Sequence, residues 1–176
     1  HERIVRNINA TGKMRKILFM LLVIMLIPEA VFSGDRSGVV PPVRDLYSLS
    51  KVAEARNLPI LLMVSQDHCP YCELLKEEIL NPMVISGDYI NKAVMSVLTI
   101  DASKAIIDFN GKKIEPRDVA LRYNATITPT LLFLDYQGNE IQERMTGVNT
   151  VEMYGYYLDE SIDEALEKLK LIKLSQ

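Results

Sequence analysis

Two cysteines and two histidines are the only thiol and imidazole side chains in these 176 residues. Two cysteines are too few for a fold held by a framework of bridges. They are too few for a structural zinc site as well. Zinc would need two more ligands, and the histidines are His1 and His68, the latter directly beside Cys69. No metal site is therefore expected. Charge of one sign is also scarce, with a formal net charge of −3. The basic clusters Lys112-Lys113 and Lys168–Lys173 are short and lie near apolar or acidic residues, so they read as solvated faces. Nothing here points to nucleic acid or an anionic membrane surface as partner. Internal repeats and low-complexity runs are absent. So is a hydrophobic run of spanning length: Ile17–Ile27 falls short of the roughly 17–25 residues a transmembrane helix needs.

That short run has a different reading. Met14-Arg15-Lys16 precedes it, Pro28-Glu29-Ala30 breaks it, and Val31-Phe32-Ser33-Gly34 supplies small residues after it. A charged region, an apolar region and a small-residue site together predict a signal peptide, cut after Ser33. Met14 is the expected start, with His1–Lys13 as an upstream extension. Residues 1–33 are therefore set apart from the fold. Residues 34–176 are expected to form a single domain without a membrane span, exported to an oxidising compartment such as the periplasm.

Along that domain, Ser37–Arg44 reads as a loop or short strand. Asp45–Asn57 has helical apolar spacing with Asp45 as cap and Pro59 as stop. Ile60–Val64 is a continuous apolar run of strand length, as in a strand buried on both faces. Helical spacing follows over Glu73–Leu80, and Pro82 is expected to open a second helical piece to about Asn91. Val94–Ile100 reads as another buried strand. Asn110-Gly111 marks a small hairpin within Ala105–Ile114. Pro116–Tyr123 suits a helix with proline in its first turn. Thr130–Leu134 and Glu140–Met145 form strands around Gln137-Gly138-Asn139. The end, Asn149–Lys173, reads as two helices, the second opened by the capping box Ser161-Ile162-Asp163-Glu164. Alternating strands and helices predict parallel pairing, with the late hairpin as an antiparallel edge. The expected fold is a three-layer α/β/α sandwich with a mixed central sheet.

The cysteines occur as Cys69-Pro70-Tyr71-Cys72 between a strand and a helix. A thiolate, not a thiol, attacks a disulfide, and a free cysteine titrates only near about 8.5. A helix amino terminus favours negative charge, so Cys69 is the expected nucleophile. Cys72, about one turn further, is placed to resolve a mixed disulfide. Pro70 removes an N–H and stiffens the turn. His68, if protonated, would favour the thiolate, whereas Asp67 would oppose it. His68, Pro70 and Tyr71 are thus candidate tuning residues. Two thiolates also suffice for copper(I), so a metal-carrying reading stays open at this point.

The run Ile60–Val64, the Cys69–Cys72 motif, and Thr128-Pro129-Thr130 before a strand together resemble the thioredoxin superfamily, over about Leu46–Leu169. The nearest likeness is to small exported bacterial thioredoxin-like proteins, the group that includes a thioredoxin associated with sulfur oxidation. The resemblance implies a cis peptide at Thr128-Pro129, a loop there that docks substrate backbone and shields the thiolate, and no cofactor beyond a reversible Cys69–Cys72 disulfide. Three departures stand out. Pro70-Tyr71 is the pair typical of glutaredoxins, whereas thioredoxins proper have Gly-Pro. Met63 occupies the place of a buried acid that accepts a proton from the second cysteine, so slower reduction is expected. Ala102–Glu115 is longer than the family's minimal connection and reads as an insertion, or as a segment that shapes the substrate surface.

The expected function is thiol–disulfide exchange with exported proteins by a monomer, in the reductive direction, with an unidentified redox partner. The alternative is a non-enzymatic binding module on the same fold, such as a copper(I) carrier or a chaperone. Tyr154, Tyr156 and Tyr157 are expected to serve as core and rim packing.

Overall fold

A computed structural model describes residues 38–148 and 150–175. The expected signal peptide and upstream extension, residues 1–33, lie outside the described residues. Helix α1 (Leu46–Arg56) is capped by Asp45, whose side chain accepts from Ser48 N–H. It stops at Asn57, which adopts a left-handed φ of 56° and returns its N–H to Ala53 and Glu54. The stop thus lies two residues ahead of Pro59, because asparagine tolerates that conformation and satisfies the last carbonyls.

Strand β1 (Ile60–Ser65) follows, every residue buried. Helix α2 (Pro70–Leu75) leads without a break through a π-helical turn (Lys76–Leu80) into α3 (Asn81–Ser86). The expected separate helix from Pro82 to Asn91 is therefore a continuation that ends early. Asn81 N–H reaches back to Lys76 O, and this widened turn carries the chain past Pro82, which has no N–H to give. Gly87, at φ 76°, closes the helix. Next come β2 (Val94–Thr99), the two-residue strands β3 (Ile106–Ile107) and β4 (Lys113–Ile114), α4 (Pro116–Arg122), β5 (Thr130–Leu134), β6 (Glu140–Thr146) and α5 (Val151–Leu174).

The carboxy-terminal segment is one helix, not two. Its buried stripe, Tyr154, Leu158, Ile162, Ala165 and Leu169, runs straight past Ser161. Continuous burial overrides a local cap pattern.

The sheet order is β2-β1-β5-β6. β1 and β2 are parallel, whereas β5 is antiparallel to both β1 and β6. Parallel pairing is thus confined to one pair in this sheet, because the chain re-enters it in the opposite sense after α4. The fold is the mixed α/β architecture expected. Alternate residues of β1 serve two cores. Leu61 and Met63 pack with Cys69, Cys72, Leu75, Phe133, Leu158 and Ile162 on one face. Ile60, Leu62 and Val64 pack with Leu46, Ala53, Val119, Leu132 and Leu134 on the other. Each such side chain is worth about 1.5–3 kcal/mol when fully buried, so the middle strand and its helices specify each other.

The segment Ala102–Glu115 is built into the second core. Ile107 bridges to Asp45 and Pro42 bridges to Val97, so a short leading segment joins the β3–β4 hairpin to the edge of β2. Phe109 lies where a Cβ on Gly138 would come within 2.9 Å, and Gly138 has φ +87°. Only glycine fits there. Asp108, almost fully buried, receives two hydrogen bonds from the Arg122 guanidinium, at 2.9 and 2.8 Å. That pairing holds the Asp108 carboxyl below its ordinary value.

Arg122→Met leaves the Asp108 carboxylate buried without its partner. The expected loss is about 1–3 kcal/mol at neutral pH. A lowered carboxylate pKa contributes stability above the unfolded value and loses it as pH falls through the folded one. Chemical denaturation should therefore show the gap between wild type and variant closing below about pH 4.

Candidate active site

The chain leaves the sheet at Ser65 and reaches Cys69 through three exposed residues, Gln66, Asp67 and His68. This loop is held from the next strand. Asp67 N–H donates to both carboxylate oxygens of Asp101, at 2.9 and 3.2 Å. Ile100 N–H donates to Ser65 O at 2.9 Å. His68 turns the chain with a left-handed φ of 56°.

Cys69 is then the N-cap of α2. Its sulfur accepts from Cys72 N–H at 3.2 Å, and Pro70 occupies the first turn, where a missing N–H costs nothing. Cys69 and Cys72 form a disulfide with a Cα–Cα distance of 5.2 Å. Cys69 remains slightly accessible, at 6%, while Cys72 is fully buried. The first cysteine therefore keeps slight access to solvent, and the second has none.

Thr128 comes from a distant part of the chain. Its hydroxyl donates to Cys69 Sγ at 3.6 Å, and the Thr128-Pro129 peptide is cis, as the resemblance implied. Pro129 is buried, and its carbonyl accepts from Gly147 N–H at 2.8 Å. The fold thus brings together Cys69, Cys72, Thr128 and Pro129. Tyr71 is exposed at 61% beside the pair. His68 and Asp67 also point to solvent, and among the described residues the hydrogen bonds to Cys69 Sγ come from Cys72 and Thr128.

Met63 lies fully buried in the same core cluster as both cysteines. The carboxylates buried among the described residues are Asp108 and Asp135. Asp108 is held by Arg122, and Asp135 caps the β5–β6 turn by accepting from Gln137 and Asn139. No buried acid among the described residues serves Cys72. Also among the described residues, no three His, Cys, Asp or Glu side chains are grouped to share a metal ion.

Sequence reasoning missed two contributors. Asp101 was unremarkable among the residues after a strand. Gly147, at φ 70°, carried only the weak signal of a glycine after a strand. Their roles arise from contacts across the sheet.

The sequence profile of the thioredoxin-like domain matches residues 47–169. The chain belongs to the thioredoxin-like family. Two curated relatives, the thiol:disulfide interchange proteins DsbD of Yersinia pestis strains Pestoides F and Nepal516, are each 30% identical to this thioredoxin-like protein over 108 residues. That stretch covers 60% of this chain but 16% of each relative, so the chain spans a small part of their length. Among solved structures, the DsbH oxidoreductase superposes with a TM-score of 0.52 at 16% identity, covering 77% of this chain and 92% of that one. Mitochondrial thioredoxin 3 of Saccharomyces cerevisiae gives 0.48 at 14% identity, with 71% and 94% covered. The relatives' names carry thiol:disulfide interchange, and the Cys69–Cys72 pair of this thioredoxin-like protein supplies the two sulfurs such chemistry uses.

Reduction of the disulfide should leave the amide of Cys72 facing a thiolate at Cys69. The Cys72 N–H and the helix end should hold the thiolate pKa below the free-cysteine value of about 8.5. Ultraviolet titration of thiolate absorbance in reduced protein measures it. A Cys72→Ser variant isolates the Cys69 transition.

Proposed function

We propose that this protein is an exported, monomeric reductase of polypeptide disulfides that works from the Cys69–Cys72 pair without a further cofactor. The observation that carries the reading is the asymmetry of the pair: an N-cap sulfur on a residue that keeps slight access to solvent beside Thr128 and Pro129, and a partner sulfur sealed in the core.

In the reduced protein the Cys69 thiolate attacks one sulfur of a substrate disulfide. The sulfur–sulfur bond of the substrate breaks, one substrate thiolate leaves, and a mixed disulfide forms at Cys69. Cys72 then loses its proton and attacks Cys69 Sγ. The second substrate thiolate leaves, and the Cys69–Cys72 disulfide results. Two electrons have passed from the protein to the substrate, and the departing thiolates take up protons. With Met63 in the core that holds Cys72 and no buried acid there among the described residues, the proton must pass to another group or to water, which makes resolution the slow half. A dithiol partner restores the reduced state.

Support for export comes from the Met14–Gly34 pattern, and support for disulfide exchange from the interchange activity that the DsbD relatives' names carry. Among the described residues no helix is long and apolar enough to cross a membrane. His68, Pro70 and Tyr71 act as tuning residues in this reading. Pro70 removes one N–H from the thiolate's surroundings, and Tyr71 flanks the approach of substrate.

The test is reduction of insulin by dithiothreitol. Wild type should accelerate it, and Cys69→Ser should abolish the acceleration. The reduction potential decides direction, since about 30 mV is a tenfold change in equilibrium. A value near −270 mV agrees with a reductase, and one near −120 mV makes it an oxidant. No acceleration combined with tight copper(I) binding by both thiols would replace the enzyme with a metal carrier.

A further inference from the structure

The chain reaches the reactive sulfur through a single turn that is constrained on both sides. On the helix side, Cys69 O accepts from Cys72 and Glu73 N–H at 3.0 and 3.1 Å, and Cys69 Sγ accepts from Cys72 N–H at 3.2 Å. On the strand side, Asp67 N–H donates to both carboxylate oxygens of Asp101. His68 alone lies between these two anchors, and it takes a left-handed φ of 56°. That conformation costs a non-glycine residue free energy and persists where the surroundings over-determine it.

Asp101 is itself set in place by the strand it follows. It lies just beyond β2, in a turn closed by Ala102 N–H on Thr99 O at 3.3 Å, and Ile100 N–H ties the same stretch to Ser65 O at 2.9 Å. The residue is exposed. Among the described residues its carboxylate accepts from the Asp67 amide alone and enters no ion pair. Neither core packing nor charge pairing therefore accounts for an acid at this position. What it does is hold an amide two residues ahead of the nucleophile. Without that hold His68 can relax toward negative φ, and Cys69 Sγ then drifts from the Cys72 amide that favours its charged form.

We propose that Asp101 is a positioning residue for disulfide exchange: it pins Asp67 so that the left-handed turn at His68 delivers Cys69 Sγ to the Cys72 amide. The inference rests on the exchange reading above. The hydrogen bonds to Cys69 Sγ among the described residues come from Cys72 and Thr128, so Asp101 acts through the backbone and not on the sulfur itself.

The test is a single-turnover reaction of reduced Cys72→Ser protein with a small aromatic disulfide. The Cys69 thiolate attacks one sulfur, the aromatic sulfur–sulfur bond breaks, one coloured aromatic thiolate leaves, and a mixed disulfide remains on Cys69. Asp101→Asn keeps an acceptor oxygen and Asp101→Ala does not, while both remove the same charge. Loss of one hydrogen bond is partly offset by the greater nucleophilicity of a more basic thiolate. The alanine variant should therefore react about twofold to fourfold more slowly than the asparagine variant at a pH below the Cys69 transition. The difference should vanish at alkaline pH, where Cys69 is ionised in both. Adding His68→Gly should bring the ratio toward one, because glycine takes the left-handed turn without penalty. Should Asp101→Ala not fold, Asp101→Leu, close to asparagine in size and without an acceptor, takes its place. The positioning role is overturned by equal rates in the two variants, by a ratio that persists at alkaline pH, or by one that His68→Gly leaves unchanged. Failure of wild type to accelerate insulin reduction would sink the exchange reading, and the ratio would still decide whether Asp101 positions Cys69.

Discussion

The structure depends on a strand that has no solvent-facing side. Every residue of β1 is buried, and its alternate side chains belong to different cores. A strand in that position cannot slip by one residue without exchanging the two cores. Its carboxyl end is therefore a fixed point, and the loop that follows starts from a known place. Asp101 accepts the Asp67 N–H, His68 turns the chain, and Cys69 becomes the first group of a helix. The position of a single sulfur is in this way set by the burial of six residues that do no chemistry.

The same alternation places Met63 in the core that holds the cysteines. Because residues two apart in a strand share a face, Leu61 and Met63 both line the core that receives Cys69 and Cys72. The interior beside Cys72 is consequently apolar, and the carboxylates buried among the described residues are engaged elsewhere. Electrostatic help for a thiolate comes from the helix end instead, through the Cys72 amide, whose N–H points at Cys69 Sγ, and the helix dipole. That help acts on Cys69 and leaves Cys72 with little, which separates the two sulfurs chemically as well as by exposure.

The segment Ala102–Glu115 does its work far from the reacting atoms. Its contacts run to Asp45, Arg122 and Gly138, all on the side of the sheet served by the second core. It thickens that side and ties the leading segment, α4 and the β5–β6 turn together. On the other side, α5 runs unbroken across the cysteine-bearing core. Its first turns carry the tyrosines, so one helix both seals the core and borders the cis-proline loop.

Much of this was legible in the chain. Ile60–Val64 could only be a strand buried on both faces, since five apolar residues in a row leave no polar face. Asp45, Asn110-Gly111 and Pro116 marked their cap, hairpin and helix start, because those preferences are local backbone chemistry. Cys69-Pro70-Tyr71-Cys72 beside that strand announced the chemistry. Local signals failed where packing competed with them. The capping box at Ser161 was overruled by a buried stripe that runs through it, and Pro82 was absorbed by a widened turn. The antiparallel sense of β5 against β1 depends on how the chain returns after α4, which no local pattern records. The sequence by itself determined the elements and the reactive pair, because propensity, capping and thiol spacing act over a few residues. Only the tertiary structure decided that Cys72 is fully buried, that Asp101 and Gly147 support the site, and that Tyr154 is buried without a hydrogen-bond partner among the described residues. Those are contacts between residues far apart in the chain, formed only once both cores close on β1.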